Sequence, residues 1–321
     1  MEKRPGLRVY LTTILGAVCW GLIGLFIAPL YAHGFTAWDV VAIRAIFTFI
    51  FLILLMAVFY RDQLRTRLKD HIFFAGAGIF SIAFFNFFYF EVFSQSSLAL
   101  AVTLLYTGPL FVTILSRFFF KEPLTMRKGF ALAIAIIGCA FVVGLLPFGQ
   151  EGIPMKNLLM GILSGFCYAL YSIFSKPVTK RYSGLTITTY TFLYTSIFML
   201  LTSDIIKKAN QFHNLDVWMS ALLLALVSTV AAFVLYTSGL KHLEASKASI
   251  LATIEPLIAV LSGVLFLGEH LRGWQVLGIG LVLYSAILVA EKRSKAKSLT
   301  PTSSTYKKGR PGGTRIIRKA K

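Results

Sequence analysis

The chain has 321 residues, of which 57% are hydrophobic and only 14% are charged, and its mean hydropathy is +0.75. This composition excludes an ordinary water-soluble domain and indicates a protein whose main solvent is the lipid bilayer. The formal charge of +19 would suit a nucleic-acid-binding protein, but the Lys and Arg residues are concentrated in loops and in the C-terminal tail. We therefore interpret them as determinants of membrane topology and expect no nucleic acid partner.

Apolar segments follow one another along the chain with short charged breaks. A membrane-spanning helix needs about 20 mostly apolar residues, and the pattern predicts such spans at 9–29, 39–60, 72–91, 98–120, 128–146, 157–176, 186–206, 217–240, 247–267 and 273–291. The sequence thus predicts an all-α membrane protein with ten transmembrane helices and no separate soluble domain.

The basic residues predict how the chain is oriented. Outside the C-terminal tail, fifteen Lys and Arg residues fall on the side where the chain begins, and four fall on the other side, namely Lys156, Lys207, Lys208 and Arg272. Because cytoplasmic loops carry an excess of Lys and Arg, both termini are predicted to be cytoplasmic. Residues 1–8 form the predicted N-terminal segment, and residues 292–321 a basic tail too polar to fold.

The two halves of the chain resemble each other. Pro109 and Pro256 are 147 positions apart, as are Glu122 and Glu269, and Cys19-Trp20 and Cys167-Tyr168 are offset by 148. We interpret residues 9–146 and 157–291 as two copies of one five-helix unit. An odd number of spans per copy places the second copy upside down, which is a recurrent arrangement in transporters.

These motifs resemble the EamA family of the drug/metabolite transporter superfamily over nearly the whole membrane part. The matching features are Gly16-Ala17-Val18-Cys19-Trp20-Gly21, Ile43-Arg44-Ala45, Pro109 with Glu122, Glu255-Pro256 with Gly268-Glu269, and Gly278. Three positions depart from the family pattern, where Lys121, Ala131 and Ser285 stand in place of Gly. The resemblance implies a plasma-membrane permease that exports amino acids or related metabolites, and the superfamily also includes sugar-phosphate and nucleotide-sugar exchangers.

Proline interrupts two of the predicted spans near their middle. Pro109 and Pro256 each remove a backbone donor and predict a helix kink at that depth. Carbonyl groups freed in lipid need a partner, so such backbone is tolerated mainly against protein or a wet cavity. A packing kink alone is the alternative interpretation.

Few ionisable side chains fall within the predicted spans. Glu255 is the first candidate for a functional residue, since a carboxyl group at this depth requires a partner or a cavity and could carry a proton, although it could also form a structural salt bridge. Arg44 could bind a substrate carboxylate or extend toward the membrane surface. The remaining candidates for substrate or proton binding are polar or aromatic: Tyr106, Asn86, Trp20, Tyr168 and Tyr190.

The loop acids and the histidines receive simpler interpretations. Glu122 and Glu269 lie at turns, where each can accept hydrogen bonds from the start of the next helix. The five histidines fall at span ends or in loops without metal-ligand spacing, so no metal or other cofactor is expected.

A secondary transporter of small organic molecules fits the repeats, the central prolines and the isolated acid together. We expect it to act by alternating access around a midplane cavity, with proton coupling through Glu255 or without coupling. An exchanger of organic phosphates or nucleotide sugars is the alternative within the superfamily. A membrane-embedded enzyme and a channel are alternatives of other classes, but no catalytic motif or filter sequence supports either. The sequence leaves the oligomeric state open.

Overall fold

The computed structural model describes residues 6–95, 101, 104–146, 154–267, 270 and 272–290, and every regular element among them is a helix. The predicted tail 292–321 and Gly268-Glu269 lie outside these residues. The membrane helices of the described part are α1 (Leu7–Ala32), α2 (Ala37–Phe59), α3 (Leu68–Val92), α4 (Gly108–Phe120), α5 (Met126–Val142), α6 (Met155–Val178), α7 (Gly184–Thr202), α8 (Leu215–His242), α9 (Ala245–Phe266) and α10 (Gly273–Ala290).

These helices coincide with the predicted spans to within a few residues at most ends. All of them except α4, α5 and α10 are long and apolar enough to cross a membrane alone, and α4 and α10 are shorter apolar helices. The start of the predicted span 98–120 lies largely outside the described residues. The span predicted at 186–206 ends earlier, at Thr202, and the chain continues as a 3₁₀ segment over Ile205–His213. The protein is therefore an all-α membrane protein of about ten helices.

Contacts between helices repeat in a two-fold pattern. The helix α1 packs on α8, and α3, the counterpart of α8, packs on α6, the counterpart of α1. In the same way, α4 packs on α6 while α9 packs on α1, and the equivalent helices α2 and α7 pack on each other, as do α5 and α10. Since each crossing reverses the chain direction, this contact pattern is the one expected of two five-helix units of opposite orientation.

Local irregularities recur at equivalent places in the two units. A π-helical segment lies inside α3 at Gly76–Ala83, and another lies inside α8 at Leu226–Ala231. Segments of this kind within α-helices occur frequently at functional sites. Both flank the same space between the two units, so irregular backbone is concentrated where the units face each other.

The fourth and ninth membrane-spanning segments are each interrupted by a turn shortly before the proline. A turn at residues 106–107 precedes the first turn of α4, and α9 consists of Ala245–Ala252 and Glu255–Leu267 around a turn at 253–254. Pro109 and Pro256 each take the second position of the following helical segment, where a missing N–H costs no hydrogen bond. The hydroxyl groups of Thr107 and Thr253 donate to carbonyls three residues earlier, at 2.6 and 2.7 Å.

Close backbone packing joins the last helices of the two units. A Cβ atom at Gly278 in α10 would lie 2.7 Å from the carbonyl oxygen of Gly138 in α5, so only glycine permits this approach. Large apolar side chains on the outer helix surfaces remain exposed, as in Leu54, Phe118 and Leu265. Exposed apolar side chains suit contact with lipid acyl chains.

Candidate functional site

A cavity of about 170 Å³ lies between the two five-helix units, near the middle of the helices. Helices from both units supply its walls, including both interrupted helices. Its lining combines aromatic and aliphatic side chains with a few polar and charged groups: Trp20, Ile23, Ile27, Arg44, Ser81, Ile82, Phe85, Tyr89, Phe90, Leu105, Tyr106, Tyr168, Tyr171, Ser172, Phe233, Tyr236 and Glu255. Binding sites for small molecules typically have this character.

Arg44 enters the cavity from the first third of α2. Its side chain is only 7% exposed, and its Nε donates to Thr229 Oγ1 at 2.8 Å in the π-helical segment of α8. One Nη donates to the Ser228 carbonyl at 3.5 Å, a weak contact, and the guanidinium lies 5.5 Å from the centre of the Phe233 ring. These contacts hold the guanidinium beside the cavity instead of at the membrane surface.

Glu255 lies at the interruption of α9, as the first residue of its second segment. The positive end of that helical segment favours a carboxylate at this position. Within the described part of the chain, no hydrogen bond reaches the Glu255 carboxylate, and no ion pair within 4.0 Å joins it to Arg44. Both side chains line the same cavity. A buried guanidinium and a partly buried carboxylate therefore share one cavity without direct contact.

Trp20 forms part of the wall where α1 faces α8. Its ring is 6% exposed and packs edge-on against Phe233 with ring centres 5.0 Å apart, and the Tyr236 ring lies at 5.1 Å. The indole Nε1–H is buried and has no acceptor among the described residues. A buried donor without a partner is costly, and here it belongs to a ring that lines the cavity.

Tyrosine and serine side chains close the cavity toward one membrane surface. We call this the N-side, because α1 begins there. Tyr171 Oη is hydrogen-bonded to Thr237 Oγ1 at 2.6 Å, and Ser172 Oγ to Tyr236 Oη at 2.8 Å. Nearer the N-side, Lys176 Nζ donates to the Leu240 carbonyl at 2.6 Å and also contacts the Leu243 carbonyl. These contacts join α6 to α8 and form the floor of the cavity.

Tyr106, in the turn before α4, and Tyr168, on α6, also lie in the cavity wall. Gly108 makes their arrangement possible, since a Cβ atom there would lie 2.6 Å from Cδ1 of Tyr168. The cavity therefore unites five of the residues that the sequence nominates: Trp20, Arg44, Tyr106, Tyr168 and Glu255.

Asn86 and Tyr190 lie apart from the cavity, contrary to the sequence-based interpretation. Asn86 Nδ2 donates to the Ile82 carbonyl of its own helix at 2.6 Å. Tyr190 Oη donates to the Leu64 carbonyl at 2.6 Å, and its ring stacks on Phe74. Hydropathy shows that a polar group lies in a span, but it does not show which way the helix turns it.

The sequence does not predict several residues of the cavity wall, because it contains 29 Phe and 13 Tyr and does not distinguish those that line a cavity from the others. The internal repeat provides a signal that could have found some of them. Phe85 and Phe233 are 148 positions apart and both line the cavity, as do Trp20 and Tyr168. The charged residues break this equivalence, because Arg44 corresponds to Phe192 and Glu255 to Gly108.

Glu122 has a longer-range role than predicted. Its carboxylate does not cap the next helix, α5, but accepts from the start of α9 in the other unit: from Ala245 N at 2.6 Å, Ser246 Oγ at 2.6 Å and Ser246 N at 3.3 Å. Lys128 lies 3.9 Å from Glu122 and forms an ion pair with Glu244. Lys247 also pairs with Glu244, at 2.9 Å. We call Glu122, Lys128, Glu244 and Lys247 the N-side cluster.

The backbone conformation of Lys121 explains why the family pattern has Gly at this position. It ends α4 with φ +55°, the left-handed conformation that favours glycine. This conformation directs the chain so that Glu122 can reach the other unit.

Comparison with known proteins identifies the family. Residues 7–144 and 155–290 match the EamA-like transporter family. The chain belongs to this family, within the drug/metabolite transporter superfamily. It is a membrane transporter.

Relatives with similar sequences carry transporter names. An uncharacterized transporter of Archaeoglobus fulgidus is 30% identical over 66% of this chain and 75% of its own length. The threonine/homoserine exporter RhtA of Escherichia coli is 25% identical over 68% of this chain and 72% of its own. One solved crystal structure aligns with a TM-score of 0.75 at 18% identity, covering 89% of this chain and 96% of that one, and so shares the fold.

Proposed function

We propose that this protein is a secondary transporter that exports amino acids or related small metabolites across the plasma membrane. One observation carries the proposal: a cavity between two equivalent units contains a buried guanidinium and a partly buried carboxylate that are not paired with each other. The 25% identity to a threonine/homoserine exporter supports the substrate class. Because the two units are alike and antiparallel, they can exchange conformations around one central site.

The proposed orientation places both termini in the cytoplasm, as the excess of Lys and Arg on the N-side favours. The cavity floor then faces the cytoplasm, and the walls on the other side of the cavity include Ile27 and Phe90. Substrate would reach the cavity from the cytoplasm after the contacts between α6 and α8 separate. Alternation between a state open through the floor and a state open toward the opposite membrane surface would move the solute across the membrane.

Glu255 is the proposed site of proton coupling. Ionisable groups at membrane depth commonly serve in proton relays, and the described residues donate no hydrogen bond that would hold this carboxylate in one state. The charge of Arg44 in the same cavity favours the ionised form, whereas burial favours the neutral form. Opening of the cavity to water would change that balance and let a proton bind and leave.

An exchanger of organic phosphates or nucleotide sugars is the second candidate. A phosphate group is usually bound by several Arg or Lys side chains, but Arg44 is the only Arg or Lys that lines the cavity in the described structure, and Glu255 adds a negative charge. The electrostatics therefore favour a substrate without excess negative charge.

Transport in proteoliposomes tests the proposal. Purified protein is reconstituted, and uptake and counterflow of labelled threonine, homoserine, leucine and phenylalanine are measured with and without an imposed pH gradient. We expect saturable flux that responds to the gradient, and we expect Glu255→Gln to remove the response. Tyr190→Phe is the matched control, since that residue lies outside the cavity and should leave flux unchanged. Flux of sugar phosphates, with none of any amino acid, would support the second candidate instead.

A further inference from the structure

Arg44 retains donors that its protein contacts do not use. A guanidinium carries N–H groups on three nitrogens, and the described partners engage Nε at 2.8 Å and one Nη at 3.5 Å. The remaining N–H groups belong to a side chain that lines the cavity and is 7% exposed. A planar guanidinium with free N–H groups matches a carboxylate in a bidentate arrangement.

Trp20 adds a second donor to the same wall. Its Nε1–H is buried without an acceptor among the described residues. The Trp20 and Arg44 side chains both contact the Phe233 ring, with the Trp20 ring centre 5.0 Å and the Arg44 guanidinium 5.5 Å from the centre of that ring. The two donors therefore flank one aromatic side chain. Each of them lacks a partner that an acceptor group of a bound molecule would supply.

Glu255 provides the opposite charge elsewhere in the cavity wall. It enters from α9, whereas Arg44 enters from α2, so the two charges come from different units. Tyrosine rings also line the cavity, among them Tyr89, Tyr106 and Tyr168. A carboxylate together with aromatic faces is a suitable environment for an ammonium group.

The charges exclude some ligands and favour another. A bound anion would meet Glu255, and a bound cation would meet Arg44, so either would leave one charge of the cavity wall uncompensated. A molecule with a carboxylate at one end and an ammonium at the other would compensate both. We infer that the cavity binds the two charged ends of a zwitterion separately, with the carboxylate at Arg44 and Trp20 and the ammonium at Glu255.

This inference rests on the proposed function and adds that each unit binds a different end of the substrate. The first unit recognises the acid end through α1 and α2, and the second unit recognises the amine end through α9. The small cavity leaves limited room for a side chain, since pockets for drug-sized ligands measure about 300–1,000 Å³. A bound zwitterion would complete the missing contact between the charged groups of the two units.

Competition by substrate analogues separates the two subsites. The labelled probe is whichever of threonine, homoserine, leucine or phenylalanine gives the largest flux in proteoliposomes. Unlabelled competitors are the same amino acid, its amide, which lacks the carboxylate, and its N-acetyl derivative, which lacks the ammonium. For the native protein we expect both derivatives to compete at least about tenfold more weakly than the parent, because each leaves one charge of the cavity wall unpaired.

Each variant should lose one of these two preferences and keep the other. With Arg44→Gln, the amide should compete as well as the parent while the N-acetyl derivative stays weak. With Glu255→Gln, the N-acetyl derivative should compete as well as the parent while the amide remains a weak competitor. Trp20→Phe should reduce only the preference for the parent over the amide. Each preference is a ratio within one preparation, so it does not depend on the fraction of folded protein. A variant without measurable flux is studied by the same competition against binding of the labelled probe.

The results distinguish failure of the inference from failure of the proposed function. If amino acids are carried but the native protein accepts the amide and the N-acetyl derivative as readily as the parent, the division of the cavity is wrong while the transport function stands. The same holds if Arg44→Gln and Glu255→Gln change both preferences alike. If the native protein carries none of the four amino acids, the proposed function itself fails.

Discussion

Two of the places where charged groups of the two units meet differ in how their charges are satisfied: the N-side cluster and the cavity. In the N-side cluster, Glu122 accepts three hydrogen bonds from the start of α9, and Lys128 and Lys247 both pair with Glu244. In the cavity, Arg44 and Glu255 share a space without contact. Charged groups with hydrogen-bond and ion-pair partners hold packed elements together, whereas charged groups that line a cavity without such partners can bind a ligand. Changes in the two places should therefore affect different properties.

The largest effect should come from Arg44 and should appear in transport. Arg44→Gln removes the only cation of the described cavity wall, and we expect amino-acid flux at subsaturating concentration to fall about 100-fold, corresponding to the loss of about 3 kcal/mol of binding energy. Uptake into proteoliposomes provides the measurement, with Tyr190→Phe as control. Flux within a factor of two of the native protein would show that the guanidinium is structural.

The next effect should come from Glu122 and should appear in stability. Glu122→Ala leaves the Ala245 and Ser246 donors buried without their acceptor, and we expect the free energy of unfolding to fall by about 2–4 kcal/mol. Thermal unfolding in detergent provides the measurement. Glu122→Gln keeps an acceptor oxygen and should lose less. Equal loss in both variants would mean that the negative charge matters more than the hydrogen bonds.

Glu244 should make the N-side cluster sensitive to acid. Burial alone would raise the pKa of Glu244, but hydrogen bonds from Lys128 and Lys247 and the charges of these lysines outweigh it, so the pKa lies below its usual value. The folded state thus binds the proton less readily than the unfolded state, and the stabilisation is present at neutral pH and lost below about pH 4.

We expect Glu244→Gln to lower the free energy of unfolding by about 1 kcal/mol at pH 7 and to reduce the acid sensitivity. Unfolding midpoints of the native protein and the variant, compared between pH 7 and pH 3.5, provide the measurement. A difference between the two proteins that grows as the pH falls would have the wrong sign for this assignment.

The smallest effect should come from Lys121 and should have the opposite sign. A left-handed conformation costs a side chain about 1 kcal/mol relative to glycine, so Lys121→Gly should raise the unfolding midpoint slightly, against a small cost from the flexibility of glycine in the unfolded chain. Lys121→Ala keeps the penalty and provides the control. Destabilisation by both glycine and alanine would indicate that the lysine side chain contributes contacts of its own.

Much of the fold is readable from the sequence, because lipid forces every spanning segment to be an apolar helix of nearly constant length. Hydropathy therefore predicts most of the described helix ends to within a few residues, and the offset between Pro109 and Pro256 predicts the repeat. Side-chain orientation is not readable in the same way. Asn86 and Tyr190 satisfy every sequence criterion for a cavity residue, yet each donates its hydrogen bond to a backbone carbonyl elsewhere.

The sequence by itself determines that this protein lies in the lipid bilayer, and it also determines the helices, the repeat and the family. Each of these depends on patterns along one chain. Tertiary structure decides which polar groups meet. Glu122 reaches α9, 123 positions away, and Arg44 reaches Thr229 across 185 positions. Helices that are apolar on most faces can rotate with little change in their contact with lipid. Packing against neighbouring helices therefore sets which side chains face the cavity.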